Sequence, residues 1–426
     1  MANSRLDIII FGATGFTGLR TIPELVRIVD KEKLNLKWGI AGRSYDKLKN
    51  SLNQIKQRTG FFFNVPIIIS DINDEKSIRD MTSRTKLLID TVGPYRNYGE
   101  IVVKACLETG THYLDISGEA SFQEGMQLKY HEDALKKGVY LISSCGIGSV
   151  PTDLGVIFLQ NNFKGTLNSV ETYTSLREEG GPYTDPMGHT GTWESIILCL
   201  AYPFEQYKVR SKLFKIMPKA EVTPKLANKF IHKCRVTKKW ALPLPEPDKA
   251  TITRSQKYLY QLYNQRPVQV ENYIEVNHFL YVPIMMIIGF LIVFFSQFSF
   301  TRNLLIKYPK LFSFGLFGHE GPSEERQNNL IYETTLCGEG WPGKLSEPTD
   351  KFTTKPTKKI VGKVIGRNPA YGATCIALAA CAITLLVEKD KMPNNGGCYP
   401  PGAAFAKTSL IERLQRYNFK FELVSN

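Results

Sequence analysis

A chain of 426 residues, 43% hydrophobic and 22% charged, can build two or three packed cores, which excludes a disordered or fibrous polypeptide. Its net charge of +14 is concentrated, because residues 208–239 carry eleven Lys or Arg against one acid, Glu221, and supply +10 of it. A local basic surface of that kind suits a phosphate-rich partner, and lipid headgroups fit better than nucleic acid because the window has little aromatic interleaving and no known nucleic-acid module.

Ile8-Ile9-Ile10-Phe11 runs into Gly12-Ala13-Thr14-Gly15-Phe16-Thr17-Gly18, and an apolar-patterned segment follows from Leu19 to Val29. Strand, tight turn and helix start in that order aim backbone N–H groups and the positive helix end at an anion such as a dinucleotide pyrophosphate. Gly12 permits the turn, Gly15 the approach of the pyrophosphate and Gly18 the packing of helix on sheet. Pro23 is expected to kink this helix or delay its start. Further strands are expected at 36–41, 65–70, 87–92, 112–116 and 139–143, with helices at 44–57, 77–84, 99–109 and 122–137. This alternation is the pattern of a doubly wound parallel sheet.

An acid at the end of the second strand would bind the ribose 2′-OH of NAD. The residues there are instead Gly42-Arg43-Ser44, a guanidinium and a hydroxyl suited to a 2′-phosphate, so NADP(H) is favoured over NAD(H). Asp71 and Ile72 close the third strand at the adenine, with an N-cap as the alternative role for Asp71. Val92 and Gly93 close the fourth near the nicotinamide ribose.

Candidate acid/base groups are Tyr95, then His189, then Glu119; Asp115 reads more simply as a loop cap. The one Tyr-x-x-x-Lys, Tyr45 with Lys49, lies at the adenosine end and is an ordinary helix face, which argues against the short-chain reductase mechanism. No nucleophile elbow or metal constellation occurs. Eight cysteines without a Cys-x-x-Cys or zinc spacing indicate reduced thiols in a cytosolic setting. The first strand begins about six residues from Met1, so neither signal nor transit peptide is expected.

Beyond residue 150 the rhythm changes. Ser169–Leu176 reads as a strand of a more open sheet, Thr192 as the N-cap of a helix reaching Tyr202, and 208–217 as an amphipathic helix with Val209, Leu213 and Ile216 on its apolar face. Pro243, Pro245 and Pro247 mark a break. Between Glu275 and Arg302 there is no charged residue, and the apolar run 279–300 has the length to span a bilayer. The lysine-punctuated 304–317 favours a hairpin resting in a lipid monolayer. A buried helix or a homodimer seam are the other uses of such a run. Strands at 329–338, 359–366 and 419–424 and helices at 370–388 and 409–417 complete the expected elements.

Phe11–Gly18, Ala41-Gly42-Arg43, Val92-Gly93-Pro94-Tyr95 with Tyr98-Gly99-Glu100, Asp115–Glu119 and Pro401-Gly402-Ala403-Ala404-Phe405 together resemble the saccharopine dehydrogenase-like oxidoreductases of animals. The resemblance runs nearly end to end and includes the apolar segment. It implies an α/β fold: a Rossmann domain over 1–150, an inserted α+β domain over 151–370 carrying the basic window and the apolar segment 279–317, and a C-terminal part, 371–426, whose helices and strand return to the first domain. It also implies association with lipid droplets or membranes on their cytosolic face. The expected function is an NADP(H)-dependent oxidoreductase acting on an apolar, membrane-borne substrate. A catalytically silent cofactor-binding scaffold or redox sensor, and an enzyme like the bacterial trans-acting enoyl reductases, are the alternatives.

Overall fold

The computed structural model describes residues 5–424 except 62–63, 220–221, 245–246, 346 and 353. Glu221 and Pro245 therefore lie outside the described residues. Strands β1 (Leu6–Phe11), β2 (Trp38–Gly42), β3 (Ile67–Ile69), β4 (Thr85–Asp90), β5 (His112–Asp115) and β6 (Tyr140–Ile142) form a parallel sheet in the order 6-5-4-1-2-3. Alternation along β1 divides its side chains between two cores. Ile8 and Ile10 pack with Ile22, Leu25 and Leu52 under the helices Phe16–Lys31 and Tyr45–Thr59. Ile9 and Phe11 pack with Met81, Val102 and Phe122 under the helices Glu75–Ser83, Tyr95–Thr109 and Ala120–Lys137. A strand covered on both faces must be apolar throughout, which is why β1 reads as an unbroken run. Pro23 neither delays nor ends its helix, which begins at Phe16 and continues to Lys31; buried Ile22 and Leu25 beside it hold the helix to the sheet.

The second half contributes β7 (Thr166–Glu178), β8 (Gly188–His189), β9 (His232–Lys233), β10 (Trp240–Pro243), β11 (Gln269–Val276), β12 (Phe317–Gly318), β13 (Leu330–Trp341), β14 (Lys358–Arg367), β15 (Gly397–Tyr399) and β16 (Phe419–Leu423). Seven of them make a mixed sheet in the order 16-14-13-7-11-10-9, in which β7 and β11 are parallel and the other neighbours antiparallel. The strand that rejoins the first sheet is β15, parallel to β6, whereas the C-terminal strand β16 pairs with β14 in the second. Phe419 and Phe421 are buried while Lys420 and Glu422 are exposed, and that alternation suits an antiparallel edge with one wet face.

Helices Val150–Asn162 and Asp248–Tyr263 escape the sequence pattern. Each buries polar side chains (Thr152 and Asp153 in one, Arg254, Ser255 and Gln256 in the other), so the hydrophobic period is masked. The helix expected from Thr192 begins at Thr190, and His189 rather than Thr192 is its N-cap. The expected amphipathic helix spans Pro203–Ile216; Leu213 is buried but Ile216 is 70% exposed.

The apolar run does not form one 22-residue span. Tyr281–Ser296 is a 16-residue helix, about 24 Å long against a hydrocarbon core of about 30 Å. Phe298 is extended, and the chain continues as the short helices Ser299–Lys307 and Pro309–Phe312. Among the described residues the helical stretch with the length and composition of a span is Pro369–Val387, and 78% of it is buried. Its α-helical part, Thr374–Val387, lies in the first core against the helix Phe16–Lys31.

Candidate dinucleotide-binding site

Where β1 ends, the chain turns with Gly12 at φ +81° and the Gly15 N–H donating to the Gly12 carbonyl at 2.9 Å. A side chain at Gly12 would meet Thr91 Oγ1 at 2.7 Å, and one at Gly18 would stand 2.2 Å from the Gly12 carbonyl oxygen. The turn is thus sealed on its inner side by its own backbone and by the end of β4. Ala13 is buried within it, while Thr14 and Gly15 face solvent and Phe16 and Thr17 are half-buried. A Cβ on Gly15 would meet only the Gly12 carbonyl, at 3.2 Å. The helix that follows has no side-chain cap and no acid in its first turn. Uncapped donors beside an open glycine are what an anion needs at a helix start, so the cradle fits a dinucleotide pyrophosphate.

Arg43 is exposed at the end of β2 and makes no ion pair among the described residues. Ser44 caps the helix Tyr45–Thr59 with a long contact from the Lys47 N–H, 3.4 Å. Asp71 and Ile72 sit half-buried at the end of β3, but Asp71 does not cap the next helix. That cap is Asp74, while Asp71 Oδ1 accepts from the Asn73 backbone at 3.0 Å. Val92 and Gly93 follow β4, with the Val92 N–H held by Asp90 Oδ1 at 2.9 Å.

All three acid/base candidates come to this carboxyl edge, and each already has work there. Tyr95 is buried, and its hydroxyl donates to the Asp90 carbonyl at 3.0 Å; burial raises its pKa well above the ordinary phenol value. The Glu119 carboxylate accepts from the Tyr95 and Arg96 N–H groups at 2.9 and 2.8 Å, capping the helix Tyr95–Thr109 from outside it, and from Ser195 Oγ at 3.2 Å. Burial raises its pKa against the effect of those donors. His189 Nδ1 accepts from the Gly191 N–H at 3.2 Å, so its ring carries the proton on Nε2; burial first, then the charges of His319 and Arg20, favour the neutral form.

His189 is also stacked on Phe16, with ring centroids 4.7 Å apart. Phe16 meets the edge of Tyr371 at 4.4 Å and lies 3.6 Å beneath the Arg20 guanidinium, and the Tyr371 hydroxyl accepts from the His189 N–H at 2.6 Å. A residue of the glycine turn is therefore clasped by the second half of the chain.

Below the edge lies a pair that the sequence reading did not assemble. Asp90 and Asp115 are register partners on β4 and β5, both fully buried. Burial pushes Asp90 up to about 8, with Asp115 adding to the shift, and pushes Asp115 up to about 6 against the Ser117 and Ser144 N–H groups it accepts. The recoverable signal was two strands each ending in Asp. Among the described residues no cluster could hold a metal ion.

With the geometry in place, residues 8–142 match the family model of the saccharopine dehydrogenase NADP binding domain. A saccharopine dehydrogenase-like oxidoreductase of Homo sapiens is 38% identical over 98% of this chain and 97% of that protein. A Caenorhabditis elegans protein named lipid droplet localized protein is 36% identical over 99% of each chain. The solved apo saccharopine dehydrogenase (L-Glu forming) of Saccharomyces cerevisiae superposes over 99% of this chain and 100% of its own with a TM-score of 0.52 at 11% identity, a likeness of fold.

Proposed function

This chain belongs to the saccharopine dehydrogenase-like oxidoreductases, and from that membership we propose an NADP(H)-dependent oxidoreductase working at a lipid surface on an apolar substrate. The observation that carries the reading is the open, uncapped glycine cradle with Arg43 standing free at the end of β2. Gly12, Gly15 and the first turn of the helix hold the pyrophosphate, and Arg43 takes the 2′-phosphate. NADP(H), when bound, supplies the hydride chemistry. Val92 and Gly93 shape the floor beside the nicotinamide ribose. His189, neutral with its proton on Nε2, is the titratable group that the second half of the chain brings against the turn. Tyr95 and Glu119 hold the loops after β4 and β5 in place.

The lipid reading is supported by the helix Tyr281–Ser296, which keeps Ile287 60% and Phe290 68% exposed although nearly every side chain on it is apolar. A run of exposed apolar side chains along one helix marks an interaction surface. The basic segment 208–239 complements anionic headgroups, and its Lys233 lies over Trp240, whose ring meets Phe279 at the start of the apolar run. The worm relative's printed name points the same way.

Nicotinamide fluorescence during NADPH titration tests the cofactor assignment. We expect saturation by NADPH. Arg43→Glu should weaken NADPH roughly 10–100-fold, the value of a lost charge-assisted hydrogen bond, with little effect on NADH. Gly18→Ala should abolish binding of both. No spectral change at millimolar NADPH, or an Arg43→Glu variant that loses both nucleotides equally, overturns it.

A further inference from the structure

The helix Thr190–Ala201 touches the glycine turn at one end and the apolar segment along its length. At its N-terminus His189 stacks on Phe16. One and a half turns on, Ser195 donates to Glu119, the carboxylate that caps the Tyr95 helix. The opposite side carries Trp193 and Ile197, which are buried with Leu305 and pack against Ile292 and Phe312 of the apolar segment. Trp193 Nε1 donates to the Leu305 carbonyl at 2.8 Å, and Gln297 Nε2 donates to the Leu200 carbonyl at 2.9 Å. The segment then ends in β12, which pairs in parallel with β8, so that Gly318 is the register partner of His189 itself. Both the Met187 and Gly188 N–H groups donate to the Leu316 carbonyl.

We propose that the apolar segment is a positioning part of the cofactor site, and that engaging a phospholipid surface through it resets how His189 bears on the glycine turn. The inference rests on the lipid-surface reading above and adds a consequence for the cofactor. The occupant is a phospholipid surface with anionic headgroups, because the helix Thr190–Ala201 that packs on the apolar segment runs directly into a helix, Pro203–Ile216, that exposes Phe204 and Tyr207 beside Lys208, Lys212 and Lys215. A second copy of this chain would repeat that positive charge across the contact. The 12-residue helix is a rigid rod of about 18 Å, packed on the segment by buried contacts and stacked on Phe16 through its N-cap. Movement of the segment into lipid cannot leave both ends of that rod unchanged. Trp193 is thereby assigned as a positioning residue, acting through the helix and touching neither cofactor nor lipid.

The test is the dissociation constant of NADPH for the full chain, measured with and without phosphatidylcholine vesicles containing about 30% phosphatidylserine. We expect a change of about threefold or more once the protein is vesicle-bound, as scored by flotation in the same samples. Phe290→Asp/Phe294→Asp should lose both flotation and the vesicle-induced change. Trp193→Phe keeps an aromatic ring, smaller than the indole, and removes the donor to Leu305; it should still float but show a smaller vesicle-induced change, which a merely structural tryptophan would not do. A protein that floats and binds NADPH with one constant under both conditions overturns this inference and leaves the lipid reading standing. A protein that does not float overturns both, and a stable dimer that hides Phe290 would identify the second copy as the occupant.

Discussion

Asp90 and Asp115 are carboxylic acids that burial holds away from their ordinary acidity. Burial inside the parallel sheet disfavours charge on both carboxyls, with Asp115 adding to the shift on its register partner, so that Asp90 is held protonated at neutrality. The folded Asp90 carboxyl sits at about 8, above its unfolded value of about 3.9. From about pH 4 to 8 the unfolded chain releases a proton that the folded chain keeps, so stability falls as pH rises through that window and levels off above it. Asp115, at about 6, acts in the same direction over the lower half of the range. Asp90→Asn, neutral at every pH and still able to accept from the Val92 N–H, should flatten the dependence. Melting temperatures at pH 5, 6, 7 and 8 check this; parallel slopes for the parent and the variant would sink it.

At the scale of elements, two helices of similar apolar composition have opposite surroundings. Every residue from Thr374 to Leu385 is buried, whereas only Val282 and Ser296 are buried in Tyr281–Ser296. A charge should therefore act oppositely in the two. Leu378→Lys places an unpaired ammonium in the first core and should prevent folding, since such burial costs several kcal/mol. Phe290→Lys sits at a position 68% exposed and should change stability by no more than about 0.5 kcal/mol while reducing vesicle binding. Soluble expression and flotation of the two variants read the difference. A folded Leu378→Lys, or a Phe290→Lys that fails to fold, would reverse the assignment of core and surface.

Across the whole molecule, the C-terminal segment ties the two sheets together. β15 extends the first sheet and β16 the second. Between them Arg413, 5% exposed, holds Glu32, at the end of the helix Phe16–Lys31, at 3.0 Å and Glu388 at 3.2 Å. Arg413→Met leaves two partly buried carboxylates short of a partner. Lys391 and Arg416 still reach them at 3.0 and 3.4 Å, so the cost should fall at the low end of the usual range, about 3 kcal/mol. Urea denaturation measures it, and an unchanged midpoint would show that the flanking cations suffice.

The Rossmann sheet, the glycine turn and the position of Arg43 after the second strand were legible in the amino-acid sequence because each is written locally: an unbroken apolar run, a glycine spacing, a basic residue where an acid would bind NAD. Periodicity and turn chemistry act over a few residues, so they survive being read one window at a time. Only the tertiary structure decided which apolar helix is core and which is surface, that β15 and not β16 returns to the first sheet, and that Asp90 faces Asp115. It also decided that Tyr95 and Glu119 hold loops and that His189 stacks on Phe16. Those outcomes depend on what lies across a contact from residues far away in the chain. Hydropathy makes a helix willing to leave water, but whether protein or lipid receives it is settled by the surface it meets.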